Sequence, residues 1–317
     1  MGPFDEPINI HREVGQVDLM VCALEQSMII ESYNMDFRKY TKQTEYYMKN
    51  MSEEIITEAL VDVGKKFMEM LDKLRKAIVN FCIRAKDRIY QCVNGYRAFA
   101  NKFNDTIFDN LDKFKSFKIK LLLYDMDKMN EYPKDITGQI EKDVQYALQD
   151  SVSYEDVKSI LSGSKLDKIL GNMLNQSPIT PNEFNPACIK FFEIEKDDYK
   201  TEIFDRTTIM EMNRDLDKAE SKIKQIETVQ KRTANLLEGL KLKIRAVEKQ
   251  NENDYETIKK ISIISNYLTK VMNKYMFALS CKINYFTRVA KFNASVVTTA
   301  YNRAKKGDGI YENWTRF

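Results

Sequence analysis

Apolar residues recur at alternating steps of three and four along residues 207–250. Ten of the twelve positions in this pattern are apolar, and the stretch contains one glycine and no proline. The positions are Ile209, Met212, Leu216, Ala219, Ile223, Ile226, Gln230, Thr233, Leu237, Leu240, Ile244 and Val247. This heptad pattern predicts a long helix with an apolar seam, and such a seam requires a partner helix to cover it.

A second long helix is predicted after the polar run at residues 250–254. Asn253 and Glu256 have the spacing of a capping box, which marks a helix start. An apolar stripe then continues from Ile258 to Ala300. Two striped helices joined by a short turn predict a long antiparallel hairpin at residues 206–306. Each arm would be about 65–80 Å long, at about 1.5 Å per residue.

Two further amphipathic helices are predicted within residues 17–113. The first runs from about residue 17 to 50 and places one apolar stripe on one side. Its members are Met20, Val21, Leu24, Met28, Tyr33 and Met35. Ser52, followed by two glutamates, is a favourable start for the second, which continues to about residue 103. Gly64 and Gly95 weaken that helix and could divide it into shorter pieces.

The pattern changes at residues 114–205, which we interpret as a small mixed insert. Residues 117–124 alternate partly and predict a strand, whereas residues 140–149 and a segment beginning after Ser153 predict short helices. Residues 189–194 and 201–204 predict two strands around a turn at residues 196–198. The predicted fold is therefore mostly α. It is an elongated helical bundle with a long antiparallel helical hairpin and a small mixed α/β insert, between an arm at residues 1–16 and a tail at residues 307–317.

Composition changes this picture little. Fifty basic and 47 acidic residues give a net charge of +3, so no strong global field attracts nucleic acid. The five cysteines are dispersed and form no CxxC pair, which favours reduced thiols. We find no signal-peptide pattern and no apolar run of transmembrane length, so we expect neither secretion nor a transmembrane helix.

The residues that carry chemistry predict no catalytic, cofactor or metal site. The single histidine makes a His-based catalytic triad improbable, and the glycines form no phosphate-binding cluster. Asp125 and Asp127 are either two ligands of a divalent ion or part of a solvated turn, and two carboxylates are too few for a hard ion. We therefore expect a non-enzymatic protein without a cofactor or a small-molecule substrate.

Residues 65–102 form the one strongly basic helical segment. This segment contains ten basic and three acidic residues, and aromatic residues lie between the basic ones. Three interpretations remain open: contact with DNA phosphates, contact with an anionic membrane, and a solvated bundle face whose counter-charges lie elsewhere, for instance at residues 193–205. The candidate contact residues for an anionic surface are Lys73, Lys76, Arg84 and Arg88.

The two ends of the chain carry candidate partner-docking residues. They are Phe4, Ile8, Ile310, Tyr311, Trp314 and Phe317. Ordering such ends costs about 1–2 kcal/mol of backbone entropy per residue, which buried large apolar side chains can offset. We therefore expect at least one end to pack against another protein chain.

Five stretches resemble helical structural proteins of tailed bacteriophage particles. They are residues 5–14, 33–36, 65–81, 117–127 and 196–202. The resemblance implies a multi-copy virion protein of the head interior, portal, neck or tail, which is made in the host cytoplasm and contacts itself or other virion proteins. It brings no catalytic residues. The alternative is a soluble, membrane-active helical protein that inserts amphipathic helices.

Overall fold

The computed structural model describes residues 19–107, 118–131, 137–149, 151–162, 193–223, 225–250 and 255–306. These residues form eight α-helices and two β-strands. The helices are α1 (Leu19–Asn50), α2 (Glu53–Ile107), α3 (Met126–Glu131), α4 (Thr137–Ala147), α5 (Tyr154–Ser162), α6 (Arg206–Ile223), α7 (Gln225–Gln250) and α8 (Tyr255–Lys306). The strands are β1 (Lys118–Leu122) and β2 (Tyr199–Ile203). The predicted mostly α fold with a small mixed insert is confirmed.

Helix α8 is the centre of the bundle, because α1, α2, α4, α5, α6 and β1 all pack against it. Contacts between side chains fix the helix directions. Arg84 of α2 pairs with Glu25 of α1, whereas Lys73 of α2 lies over Tyr33, so these two helices are antiparallel. Asn34 and Glu31 of α1 bond to Asn266 and Asn273 of α8, so α1 and α8 are also antiparallel.

The two arms of the predicted hairpin run in opposite directions, as expected, but α8 contacts mainly the α6 part of the first arm and does not cover α7. Helix α7 packs mainly on α2, and Lys241 of α7 bonds to Asp72 of α2 at 2.9 Å. Helix α4 lies against both α7 and α8. A heptad seam shows that a helix needs a partner, but the seam itself does not say which helix will fill it.

The seam positions are buried from Ile209 to Ile226 and again at Leu237 and Leu240, as predicted. This arm is described as two helices, α6 and α7, on either side of residue 224. The side chains of Ile244 and Val247 lie outside the described residues, and so does Asn253 of the predicted capping box. Glu256 accepts a hydrogen bond from the backbone of Tyr154 at 2.7 Å and so contacts the start of α5.

Helix α2 continues through both glycines of its sequence, so the predicted division does not occur. It begins at Glu53, directly after Ser52, as the start signal indicated. A side chain built at Gly95 would meet open space, which explains why the position tolerates a helix without requiring glycine.

The insert is held by a two-stranded antiparallel sheet in which Lys118 faces Ile203 and Leu122 faces Tyr199. The predicted pairing of residues 189–194 with 201–204 is wrong for the part that the structure describes. Glu193–Glu195 is not a strand, and β2 pairs with β1, about eighty residues earlier in the chain. Helices α4 and α5 lie where short helices were predicted, and Ser153 and Asp156 bond reciprocally at the start of α5.

Helix α1 has the predicted extent, but its predicted apolar stripe is divided between two sides. Val21, Met28 and Met35 are about half exposed, whereas Leu24 and Tyr33 pack against the core.

The buried side of α1 carries small and polar residues between its apolar ones: Ala23, Gln26, Ser27, Asn34, Thr41 and Thr44. The prediction assigned Val21, Met28 and Met35 to the core because it assumed an apolar interface with the neighbouring helices.

Candidate functional site

The four candidate residues for an anionic surface do not share one outward face of α2. Lys73 is half buried, and its Nζ atom lies 4.9 Å from the ring centroid of Tyr33. Arg84 pairs with Glu25 of α1 at 3.7 Å, and Arg88 is half buried. Lys76 is exposed. The residues that sequence spacing grouped together are therefore distributed between the α1 side of the helix and solvent.

Other cations of the basic segment lie beside carboxylates. Arg75 pairs with Glu238 of α7 at 3.6 Å, and Arg97 pairs with Glu220 of α6 at 2.9 Å. The Glu220 side chain is buried, so this second pair joins α2 to α6 in a partly dehydrated environment. The counter-charges that the structure shows for these arginines thus come from α1, α6 and α7.

The six candidate docking residues at the two chain ends lie outside the described residues. So do residues 163–192, which include Cys188. The remaining four cysteines are free thiols, and burial raises the pKa of Cys82 to about 12 and that of Cys92 to about 11. Because the thiolate is the reactive form, these two cysteines are chemically inert near neutral pH.

Asp125 directly precedes α3, a helix that the sequence did not predict. Its Oδ1 atom accepts hydrogen bonds from the backbone nitrogens of Asp127 and Lys128, at 3.0 and 2.9 Å. This is the usual geometry of a helix N-cap. The described residues contain no group of three or more potential metal ligands, and the pair at Asp125 and Asp127 corresponds to a helix start.

A cavity of about 50 Å³ lies between β1 and α6, lined among others by Leu122, Lys200, Glu211, Asp215 and Asn293. Pockets that bind small molecules usually enclose about 300–1,000 Å³. This cavity has room for one or two water molecules and not for a substrate. Among the described helices, none combines the length and apolarity needed to cross a bilayer.

Helix α8 buries polar side chains that sequence reasoning missed. Every residue from Val271 to Ile283 is buried, including Asn273, Lys274, Ser280 and Lys282. Lys282 is 4% exposed. Burial, with Lys222 nearby, lowers the pKa of the Lys282 amine to about 8. The sequence signal for this burial was that α8 has almost no continuous polar face.

Helix α8 also holds the insert through hydrogen bonds to its backbone. The Asn293 amide donates to the carbonyl of Leu122 at 2.9 Å and accepts from the nitrogen of Leu122 at 2.8 Å. The Tyr285 hydroxyl accepts a bond from the nitrogen of Asp125 at 2.8 Å, and the Tyr124 hydroxyl donates to the carbonyl of Phe286 at 3.1 Å. These bonds fix β1 against the central helix.

An apolar strip runs along the solvent side of α1 and consists of Val21, Met28, Met35 and Tyr46. We call this strip the outer row. The exposed fractions of these residues are 49%, 58%, 57% and 59%. The first three are spaced by seven residues, and Glu25, Ser32, Lys39 and Lys42 lie along the same side. The described elements that pack extensively against α1 are α2 and α8, which leave this side uncovered.

Comparison of the chain with protein-family models, with curated proteins and with solved structures finds no match.

Proposed function

We propose that this protein is a non-enzymatic structural component of a larger assembly and, following its resemblance, a multi-copy protein of a tailed phage particle. The observation that carries the proposal is the pair of parallel helices α2 and α8, with 55 and 52 residues. At about 1.5 Å per residue each is roughly 80 Å long. Such helices suit a protein that spans distance and presents long contact surfaces.

The use of the polar groups supports the same proposal. Among the described residues, Tyr285, Glu220 and Asp125 bind other parts of the chain. Asn293 lines the cavity of about 50 Å³, which has no room for a substrate. A catalytic site would instead place reactive side chains together beside a cavity that admits a substrate. This arrangement favours a scaffold, whereas the phage particle as its setting comes from the resemblance.

The test is to locate the protein in its native source. Particles are purified by density gradient, and the copy number of this chain per particle is measured by quantitative mass spectrometry against a second particle protein. The proposal predicts co-sedimentation with tailed particles in several copies, and antibody labelling at one position on them. Recovery of the chain only in the particle-free fraction would contradict the phage setting.

A further inference from the structure

The outer row of α1 has the spacing of a coiled-coil seam. Val21, Met28 and Met35 recur every seven residues, and Glu25, Ser32, Lys39 and Tyr46 recur every seven residues four positions later. Two interleaved sets at this spacing follow a 3.5-residue repeat, and here the first set is apolar whereas the second is mostly polar. The row lies opposite the buried side of α1, so a second helix could approach it along its whole length.

The charges along the row indicate which helix fits it. Its first half contains Glu25, which lies beside Arg84 of α2 but keeps 55% of its side chain exposed, whereas its second half contains Lys39 and Lys42. An antiparallel copy of the same row therefore places acidic beside basic residues at both ends. A parallel copy would instead place like charges side by side.

We propose that the outer row is the interface of a homodimer in which two α1 helices pack antiparallel about a two-fold axis. The register puts the axis between Ser32 and Met35. Glu25 then faces Lys42 of the other copy, and Val21 faces Tyr46. The aliphatic stem of Lys39 covers Met28 while its charged end reaches solvent. The same patch serves both copies, as a two-fold interface requires.

The size of this surface predicts a weak dimer. At most twelve exposed residues on each side, at roughly 30–40 Å² each, bury on the order of 700–1,000 Å² in total, which is at the lower limit for specific interfaces. We therefore expect a dissociation constant of about 1–100 μM. A multi-copy assembly suits a contact of this strength, because many weak contacts act together. The inference deepens the proposed assembly role and rests on it.

The first experiment measures self-association of the full chain by sedimentation velocity from about 1 to 300 μM. Wild type should pass from monomer to dimer in this range. The variant Met35→Glu should stay monomeric, because it places two carboxylates beside the two-fold axis, where Ser32 and Met35 of the other copy supply no positive charge. Met210→Glu, on the exposed side of α6, is the matched control and should dimerise like wild type. Circular dichroism melts confirm that each variant folds.

The second experiment tests the register by exchanging charges. Glu25→Lys alone and Lys42→Glu alone should each weaken dimerisation roughly tenfold or more, because each creates two like-charge contacts. The variant carrying both changes should regain much of the wild-type affinity, since opposite charges again face each other; the loss that remains comes from the pair between Glu25 and Arg84 of the same chain, which Glu25→Lys removes. If both single changes weaken the dimer and the combined change does not restore it, the antiparallel register is wrong.

A third experiment distinguishes the homodimer from a membrane contact. If wild type remains monomeric at 300 μM, the homodimer is overturned. If it also binds phosphatidylglycerol vesicles, and Met35→Glu abolishes that binding, a membrane occupies the row instead. These measurements use purified protein without particles. Failure of the dimer therefore leaves the particle test of the proposed function standing, and failure of the particle test leaves the dimer measurable.

Discussion

Helices α1 and α8 pack against each other, yet they are buried to different extents. Helix α8 is covered on all sides along residues 271–283, and the buried side chains include lysines as well as aromatic residues. Helix α1 contacts the bundle along one side, which contains Ser27, Asn34 and Thr41, and leaves Met28 and Met35 in solvent.

The contrast shows that position in the bundle, and not the apolarity of a helix alone, decides which side is buried. A central helix must place every side chain in the interior, so its polar residues are buried with the rest. A peripheral helix needs only one covered side, and small polar residues can satisfy that contact through hydrogen bonds such as Asn34 to Asn266, at 2.8 Å. Apolar residues on its other side are then available for a further contact.

The largest effect should come from removing a large side chain of α8. Phe286 is fully buried, so Phe286→Ala should lower the free energy of unfolding by about 3–5 kcal/mol, through lost burial and the cavity left behind. Met35→Ala on the outer row should change it by less than about 0.5 kcal/mol in monomeric protein. Urea unfolding at low micromolar concentration measures both. Equal losses would mean that the two helices are not differently buried.

The buried lysine of α8 should make stability depend on pH. The pKa of Lys282 is lowered to about 8 in the folded protein, from about 10.5 when exposed. Between these values the unfolded chain binds more protons, so the free energy of unfolding should rise as pH increases above 8. Lys282→Met should remove this rise and, below pH 8, should stabilise the protein by about 3 kcal/mol.

Chemical unfolding at several values between pH 7 and 9.5 tests this expectation. Lys76→Met is the matched control, because Lys76 is exposed on α2. The control should keep the wild-type dependence on pH. A wild-type curve that is flat across this range, or one that the Lys282 variant shares, would show that the buried amine does not titrate near pH 8.

A smaller effect is expected where α8 holds the insert. Asn293→Ala removes both bonds to the backbone of Leu122 and leaves a buried donor and acceptor unsatisfied, which should cost about 1–3 kcal/mol. Asn284→Ala is the control on the same helix, since the bond that Thr287 makes there uses the backbone carbonyl of residue 284. Amide exchange should accelerate in β1 in the first variant only. Acceleration in both would point to a general weakening of α8.

The sequence predicted the helices well because their signals are local. Ser52 marked the start of α2, and the positions from Ile209 to Leu240 showed which side of α6 and α7 is buried. Helix partners and strand pairing depend on distant residues, so the partner of the seam and the pairing of β1 with β2 were not predicted correctly. Lys282 and Asn293 were missed because their surroundings come from other segments, and a buried polar residue contradicts the pattern that identifies a core.

The central position of α8 also has a consequence for synthesis on the ribosome. Helix α8 is made after α1 to α7, and it supplies the surface against which α1, α2 and α6 pack. At about 5–20 residues per second, α1 waits roughly 13–50 s before the end of α8 has been translated. During that time the growing chain can form local helices and the α1–α2 pair, but the central helix of its core has not yet been made. Completion of this core therefore follows the translation of α8, and until then the sides of α1 and α2 that α8 later covers stay uncovered.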